Sequence, residues 1–522
     1  GKTITFAYKG LNYATAYTFT LAAGSVADLT DNATDQAIVL NFTTKTKPAV
    51  TKALYDFIVP TDGDFKAALA AAAKRTDTSK RFRIFIKQGD YKIPADEKSK
   101  VTGSDGKSYA NPTTYMNTPN VSIIGESMDN TSLTNTIPNS GQSANVLEGI
   151  GKGDVLCLQK GATNTYFQDL KMYSSMGDAK GRDIILNDQS NKTICKNVNL
   201  WAYQDTYVSN NQNGKFYFED GILRGRTDYL CGKGDVYYNN VELWICEKGG
   251  YLAVPSQPKK YGYIFKDCTI KDATAAKDLN GNYTLGRPWG KGTPIALYIN
   301  TKMEAIPSAA GWNEMSGGYP KRFAEYNSYT STGSIVDLKD RKKVYDAYDS
   351  KDGDNYVNRR NETAGNPILT AEEAAAYTIE TVMGQDDDWD PTAATEQASA
   401  PSNVKLNGTT LAWDNNDYAL LWAVCKNGKV VDFTIKPTYL VDDASATWSV
   451  RAANEMGGLS EATAAVLGTG IHNIASATDA AVIKTAIYAA DGTQLSNLQK
   501  GINIIVKTLA DGSKKTSKVI VK

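Results

Sequence analysis

Histidine is nearly missing from this chain of 522 residues: there is one, His472, near the C-terminal end. A Ser-His-Asp or Cys-His mechanism needs an imidazole beside its nucleophile. A histidine-ligated metal site in most cases needs more than one. Hydrolytic chemistry here therefore falls to carboxylates, lysines or arginines. Net charge is missing too, since 57 basic residues balance 57 acidic ones. That argues against a nucleic-acid binder, which usually carries a net basic surface. No run of about 18 apolar residues occurs, so no membrane span is expected. Cysteine is sparse: Cys157, Cys195, Cys231, Cys246, Cys268 and Cys425 include no CxxC pair. They suit neither a zinc site nor a disulfide scaffold and read as small buried apolar residues. No metal and no cofactor is expected. The first residue is Gly and no leader is visible, so the start of the chain does not report on targeting.

What is present is β-rich and divided. The length suggests two to four domains. Residues 1–48 alternate with period two in TITFAYKG, TAYTFTLAAG and AIVLNFTT, three strands of a partial immunoglobulin-like module. Residues 50–392 form the largest unit. It opens with the alanine-rich stretch AALAAAAK, a helix that Asp62 or Asp64 can cap. It closes with a helix begun by the capping box Thr370–Glu373 and with the acidic run GQDDDWDP, read as a solvated loop. Ala398–Ser402 reads as a linker. Residues 400–467 suggest about seven short strands of a fibronectin type III-like sandwich. Residues 468–522 form a last small β unit with turns at Asp491-Gly and Asp511-Gly.

The middle unit repeats. Phe167-Gln-Asp, Cys195-Lys-Asn, Phe218-Glu-Asp, Tyr238-Asn-Asn and Phe265-Lys-Asp each precede a short β-prone segment, at steps of 28, 23, 20 and 27 residues. A period in that range marks units that cover one another. No helix fits between the strands, so the expected fold class is all-β: a right-handed parallel β-helix with small β-sandwich modules at both ends. Phe167, Cys195, Phe218, Tyr238 and Phe265 would form one internal ladder. Asp169, Asn197, Asp220, Asn240 and Asp267 would form a turn ladder, since Asp and Asn tolerate turn geometry. The alanine-rich helix would cap the open N-terminal end.

Two acids stand out in the stretch 203–240. Asp205 and Asp228 lie 23 residues apart, one repeat, each a few residues after a strand. On such a coil they stack roughly 5 Å apart. Two carboxylates that close cannot both ionise cheaply, so one stays charged and the other is pushed to hold a proton. That supplies a nucleophile and a general acid. The bland alternative is that both are turn residues of the ladder, and Arg287 and Trp289 in Leu-Gly-Arg-Pro-Trp weigh against it.

Tyr-Gln-Asp-Thr (203–206), Gly-Arg-Thr-Asp-Tyr-Leu-Cys-Gly (225–232) and Leu-Gly-Arg-Pro-Trp (285–289) resemble, in order and rough spacing, the three signature blocks of the pectin methylesterases (pectinesterases). The resemblance covers about residues 50–390. It implies that Asp228 is the nucleophile on a galacturonate methyl ester, and that Asp205 is the general acid that releases methanol and then activates water. It implies that Gln204 is an oxyanion donor, that Arg287 pairs with the nucleophile, and that Trp289 is a platform for the sugar. Tyr229 and Cys231 fall in the same blocks and Tyr207 directly follows the first, and all three are expected at the substrate. The chain departs from the family where a second oxyanion glutamine is usual: Arg182 takes that place, and an arginine can still donate to an oxyanion. It also departs at Tyr229 and Cys231, where phenylalanines are usual. A thiol nucleophile at Cys231 would lack an activating histidine.

Residues 468–522 resemble the C-terminal sorting modules of secreted Bacteroidetes proteins. That implies export to the medium, the cell surface or the periplasm. Pectin is the expected partner, nucleic acid is not, and a monomer is expected. Three other readings remain: a pectate lyase-like β-helix, a glycoside hydrolase, and a non-catalytic carbohydrate-binding protein. The only acidic cluster available to a calcium-dependent lyase is Asp386–Asp388, outside the repeats.

Overall fold

The structure, a computed structural model, describes residues 11–27, 32–48, 54–138, 145–177, 181–273, 279–415, 419–467, 482–509 and 514–521. The middle of the chain winds into parallel coils. Each contributes a strand, a sharp corner, a second strand and then a third. The first two kinds of strand join a 17-stranded sheet, and the third builds a seven-stranded sheet running from Tyr115–Met116 to Thr284–Gly286. Lys215–Glu219, Ile222–Gly225 and Thr227–Gly232 make up one such coil.

Stacking of like on like holds the coils. Phe167, Cys195, Phe218, Tyr238, Phe265 and Tyr298 pair in register, one per coil. The rings of Phe218, Tyr238, Phe265 and Tyr298 lie 5.1, 4.5 and 4.2 Å apart in sequence, all stacked. Such aromatic pairs contribute about 0.5–1.5 kcal/mol each beyond the area they bury. The corner ladder is also present. Asp169, Asn197, Asp220, Asn240 and Asp267 all have φ between 48° and 58°, and Asn300 and Asn327 continue the series. Asn197 donates to Asp169 at 2.6 Å, Asn240 to Asp220 at 2.8 Å, and Asn300 to Asp267 at 2.9 Å. The mix of residue types follows from this: a carboxylate accepts what the next amide donates, whereas stacked carboxylates would repel.

The N-terminal end of the coils is closed by a helix. The helix Phe65–Lys74 is capped by Asp64, which accepts from the Ala67 amide. It buries Phe65, Ala68, Leu69 and Ala72 in the same core as the coils. The helix Ala371–Ala375 has the expected capping box. The acidic run after it is not a solvated loop. Asp387 pairs with Lys192 and with the buried Lys215, and Asp386 pairs with Lys259. Lys215 also donates to the carbonyls of Met383 and Gln385, so the run clasps the tail to the coils.

Eight short strands between Lys405 and Leu467 form two four-stranded sheets that share one buried core, a small sandwich. It does not hang on a linker. Ala398 is buried, and Phe433 packs 4.9 Å from Tyr55 and 5.3 Å from Phe85 of the β-helix. Glu126 accepts from the Val430 amide at 2.6 Å. Near the N-terminus, Ala16–Leu21 and Ile38–Thr43 pair antiparallel; the expected strand TITFAYKG lies outside the described residues. Four antiparallel strands between Val482 and Val521 form the last sheet, and His472 lies outside the described residues. All six cysteines are buried and unbridged.

Candidate active site

The seven-stranded sheet carries the chemistry. Arg182 bridges to Gln204, and Gln204 bridges to Thr227, each in parallel register. These three residues occupy the same place on successive coils, and Asp205 and Asp228 follow directly on adjacent rungs. Strands in a sheet lie about 4.8 Å apart. Both aspartates have positive φ, 57° and 51°, and the register slips by one between Thr227 and Leu230. A left-handed residue at a bulge re-aims its side chain, and that happens at both acids. Each is only 5% exposed.

Their surroundings differ. Asp228 accepts two hydrogen bonds from one guanidinium: Arg287 Nε at 2.9 Å on Oδ1 and Nη2 at 2.5 Å on Oδ2. This planar fork is the strong geometry for a carboxylate. Tyr251 supports it from below, its ring 4.0 Å from the guanidinium carbon. Arg287 is delivered by a strand seated so close to the previous coil that a Cβ on Gly286 would fall 2.3 Å from the Ala253 carbonyl. The glycine of Leu-Gly-Arg-Pro-Trp is therefore required by packing.

Asp205 meets Arg182, with Nε 3.0 Å from Oδ2, but that side chain is 47% exposed. Burial pushes the Asp205 carboxyl up to about 7; the Arg182 guanidinium opposes the rise, the Asp228 carboxylate adds to it, and the Cys231 thiol bonds to the carboxyl from beneath. The site thus pairs a carboxylate held by a fork with a carboxyl poised to hold a proton near neutrality.

Asp205, Asp228, Gln204, Arg182 and Arg287 come together here. Trp289 follows on the segment that carries Arg287 and is 40% exposed, a ring open to solvent. Tyr207 and Tyr229 are corrections to the expected substrate contacts. Both are fully buried in the coil interior, and Tyr207 packs edge-on to Phe218 at 4.8 Å. Tyr207 pairs with Leu230 on the inward side of the strand, while Val208 and its partner Cys231 fall on the other. Cys231 is corrected as well. It is 2% exposed and packs with Ile184, Val208 and Val254, so it forms the floor under Asp205 and does not meet a sugar. Arg182 stands beside Asp205 as an ion-pair partner.

Sequence reasoning missed two residues. Tyr251 pairs with Thr227 on the next coil, and a one-coil step from the Asp228 block would have found it. Asp183, next to Arg182, is buried with neither carboxyl oxygen hydrogen-bonded. Burial, and then the nearby Asp154, push it well above the usual carboxylate range.

The fold and the site define a parallel β-helix that carries two adjacent buried acids on one sheet, one of them held by an arginine. The family model described as Pectinesterase matches residues 56–359. The chain belongs to the pectinesterase family, a family of carboxylic ester hydrolases. Among its relatives, Pectinesterase 1 of Solanum lycopersicum is 22% identical over 291 residues, covering 54% of this chain and 48% of that protein. Probable pectinesterase A of Aspergillus oryzae is 29% identical over 165 residues, covering 30% of this chain and 48% of that protein. The chain spans about half the length of the curated relatives it matches. Of solved structures, the pectin methylesterase from Aspergillus niger aligns with a TM-score of 0.46 and 18% identity, over 66% of this chain and 99% of that one. The pectin methylesterase from Carrot aligns with 0.46 and 16%, over 65% and 95%.

Proposed function

We propose that this protein removes methyl groups from pectin by hydrolysing galacturonate methyl esters, with Asp228 as nucleophile and Asp205 as general acid and base. The observation that carries the reading is the contrast between two adjacent buried carboxyls: Asp228 gripped by the Arg287 fork, and Asp205 pushed up to about 7. A carboxylate that must attack needs a fixed direction, and the Arg287 fork supplies it. A group that must protonate methoxide near neutrality needs a raised affinity for its proton.

The steps balance as follows. An Asp228 oxygen bonds to the ester carbonyl carbon, and the carbonyl oxygen becomes an oxyanion facing Gln204 and Arg182. The C–O bond to the methoxy group breaks as Asp205 gives it a proton, and methanol leaves. The galacturonyl group is then held on Asp228 as an anhydride. Asp205, now a carboxylate, takes a proton from water, and the hydroxide attacks the same carbon. Asp228 leaves as a carboxylate, Asp205 is protonated again, and the product is a galacturonate with a free carboxyl. A charged guanidinium near the oxyanion stabilises it most where water is excluded. Trp289 supplies a face on which a pyranose ring can lie.

In the same reading the substrate is an extracellular polymer, the chain is exported, and the flanking modules serve attachment or sorting. Methanol release from methylated pectin, wild type beside Asp228→Ala with EDTA present, tests the assignment. Release by wild type alone is expected. Unsaturated products absorbing in the ultraviolet, or release by both proteins, would overturn it.

A further inference from the structure

Away from the carboxylates, a cavity of ≈ 240 Å³ lies where the coils, the C-terminal tail and the sandwich meet; Arg81, Asn120, Asn164, Tyr166, Lys192 and Trp389 are among its walls. Tyr166 pairs with Ile194 in the 17-stranded sheet, so the cavity and the esterase site lie on different sheets and share no residue. The volume is below the roughly 300 Å³ at which pockets for drug-sized ligands begin, which suits a single small ring or anion.

The charge in this cavity is not balanced. Lys192 pairs with Asp387 at 2.8 Å, a carboxylate it shares with Lys215. Arg81 differs: its guanidinium donates to the Ser122 hydroxyl at 3.3 Å and to the Asn164 carbonyl at 3.1 Å, both neutral. No carboxylate among the described residues pairs with it. Burial above all, with Arg83 and Arg75 adding like charge, pulls it down to about 10. Arg81 is half-buried; a cation partly withdrawn from water without a counter-ion pays a desolvation cost, and an anion entering the cavity would relieve it. The other walls narrow the class of anion. Trp389 is half-buried and offers aromatic surface, and Asn120 and Asn164 are amides linked at 3.2 Å. An aromatic face beside amides suits a ring with hydroxyl groups better than a bare inorganic ion.

We propose that this cavity is a second, non-catalytic site for a sugar carboxylate, of which galacturonate is the natural member. The choice of galacturonate rests on the esterase reading, since de-esterification makes that group. The presence of an anion site does not. The occupant could be a free uronic acid or the end of a de-esterified chain; both present one carboxylate on one ring.

Calorimetric titration with galacturonate, galactose, phosphate and a short oligogalacturonate tests this on the full chain. Galacturonate is expected to bind wild type and Asp228→Ala alike, and galactose not to bind. In Arg81→Gln the affinity should fall at least about tenfold, the loss of one charge-assisted hydrogen bond, while methanol release is unchanged. A tighter oligogalacturonate would mark the chain end as the occupant, and equal affinity the free acid. Binding to Arg81→Gln as strong as to wild type, galactose as good as galacturonate, or phosphate as good as galacturonate would each overturn the site. Should Arg81→Gln fail to fold, a wild-type crystal soaked with galacturonate decides: density beside Arg81 supports the proposal, and its absence overturns it. Failure of the esterase reading is seen separately, as absent methanol release with galacturonate binding intact.

Discussion

Replacing Arg182 by glutamine tests the electrostatics of the site most directly. The guanidinium Nε stands 3.0 Å from Asp205 Oδ2. It favours the charged form of a carboxyl that burial pushes the other way. At that separation two unit charges interact by about 1.4 kcal/mol in water-like surroundings. Because Arg182 is 47% exposed, screening reduces the pair to about 1 kcal/mol or less. At about 1.36 kcal/mol per pH unit, the Asp205 carboxyl of Arg182→Gln should titrate higher by up to about 0.7 unit. In the proposed mechanism Asp205 must be protonated to expel methanol, so activity should fall as pH rises through its titration. The wild-type alkaline limb of kcat/KM is therefore expected near pH 7, and the limb of the variant above it. The assay is methanol release across pH at limiting substrate. A limb that stays in place or moves down would refute either the ion pair or the role of Asp205.

Asp228→Ala should lower kcat by at least about a thousandfold, as losses of covalent nucleophiles do, with far-ultraviolet circular dichroism unchanged. Asp205→Asn should abolish activity yet stabilise the fold at alkaline pH. The folded carboxyl is raised from 3.8 to about 7, so the stability it contributes is complete below about pH 4 and is lost as pH rises toward 7; Asn removes that loss, by up to about 4 kcal/mol. Thermal melts at pH 4 and pH 8 should thus coincide at the lower pH and separate at the higher. Trp289→Ala should raise KM with little change in kcat, since the proposed sugar platform would hold ground state and transition state alike. Asn240→Ala, at φ 56° and deprived of its bond to Asp220, should destabilise by about 2 kcal/mol in urea melts.

Much of this architecture was legible as repetition. A coil that covers its neighbour must place like residues at like positions, so Phe167, Cys195, Phe218, Tyr238 and Phe265 had to recur, and they pair one per coil. The corner residues were legible for the same reason, because only Asp, Asn and Gly adopt a left-handed corner at low cost. The spacing of Asp205 and Asp228 is one coil, which is enough to infer that they are neighbours. What spacing could not tell was the direction of each side chain. Period-two alternation holds only while the backbone stays extended, and left-handed kinks at both acids interrupt it. Tyr207 and Tyr229 therefore point into the core, although they flank the reacting residues.

The sequence by itself determined the β-helical class, the corner and core ladders, the helix caps and the one-coil spacing of Asp205 and Asp228, all of which follow from local pattern and period. Only the tertiary structure decided the partners. It set Arg182 on Asp205 and Tyr251 under Arg287. It turned the acidic run at 386–387 from a loop into a clasp on Lys192, Lys215 and Lys259. It seated Phe433 of the sandwich on Tyr55 and Phe85, more than 340 residues earlier in the chain. The physical reason is common to all of them: a periodic pattern specifies which face a residue occupies, whereas an ion pair or a docked surface depends on where two distant faces meet.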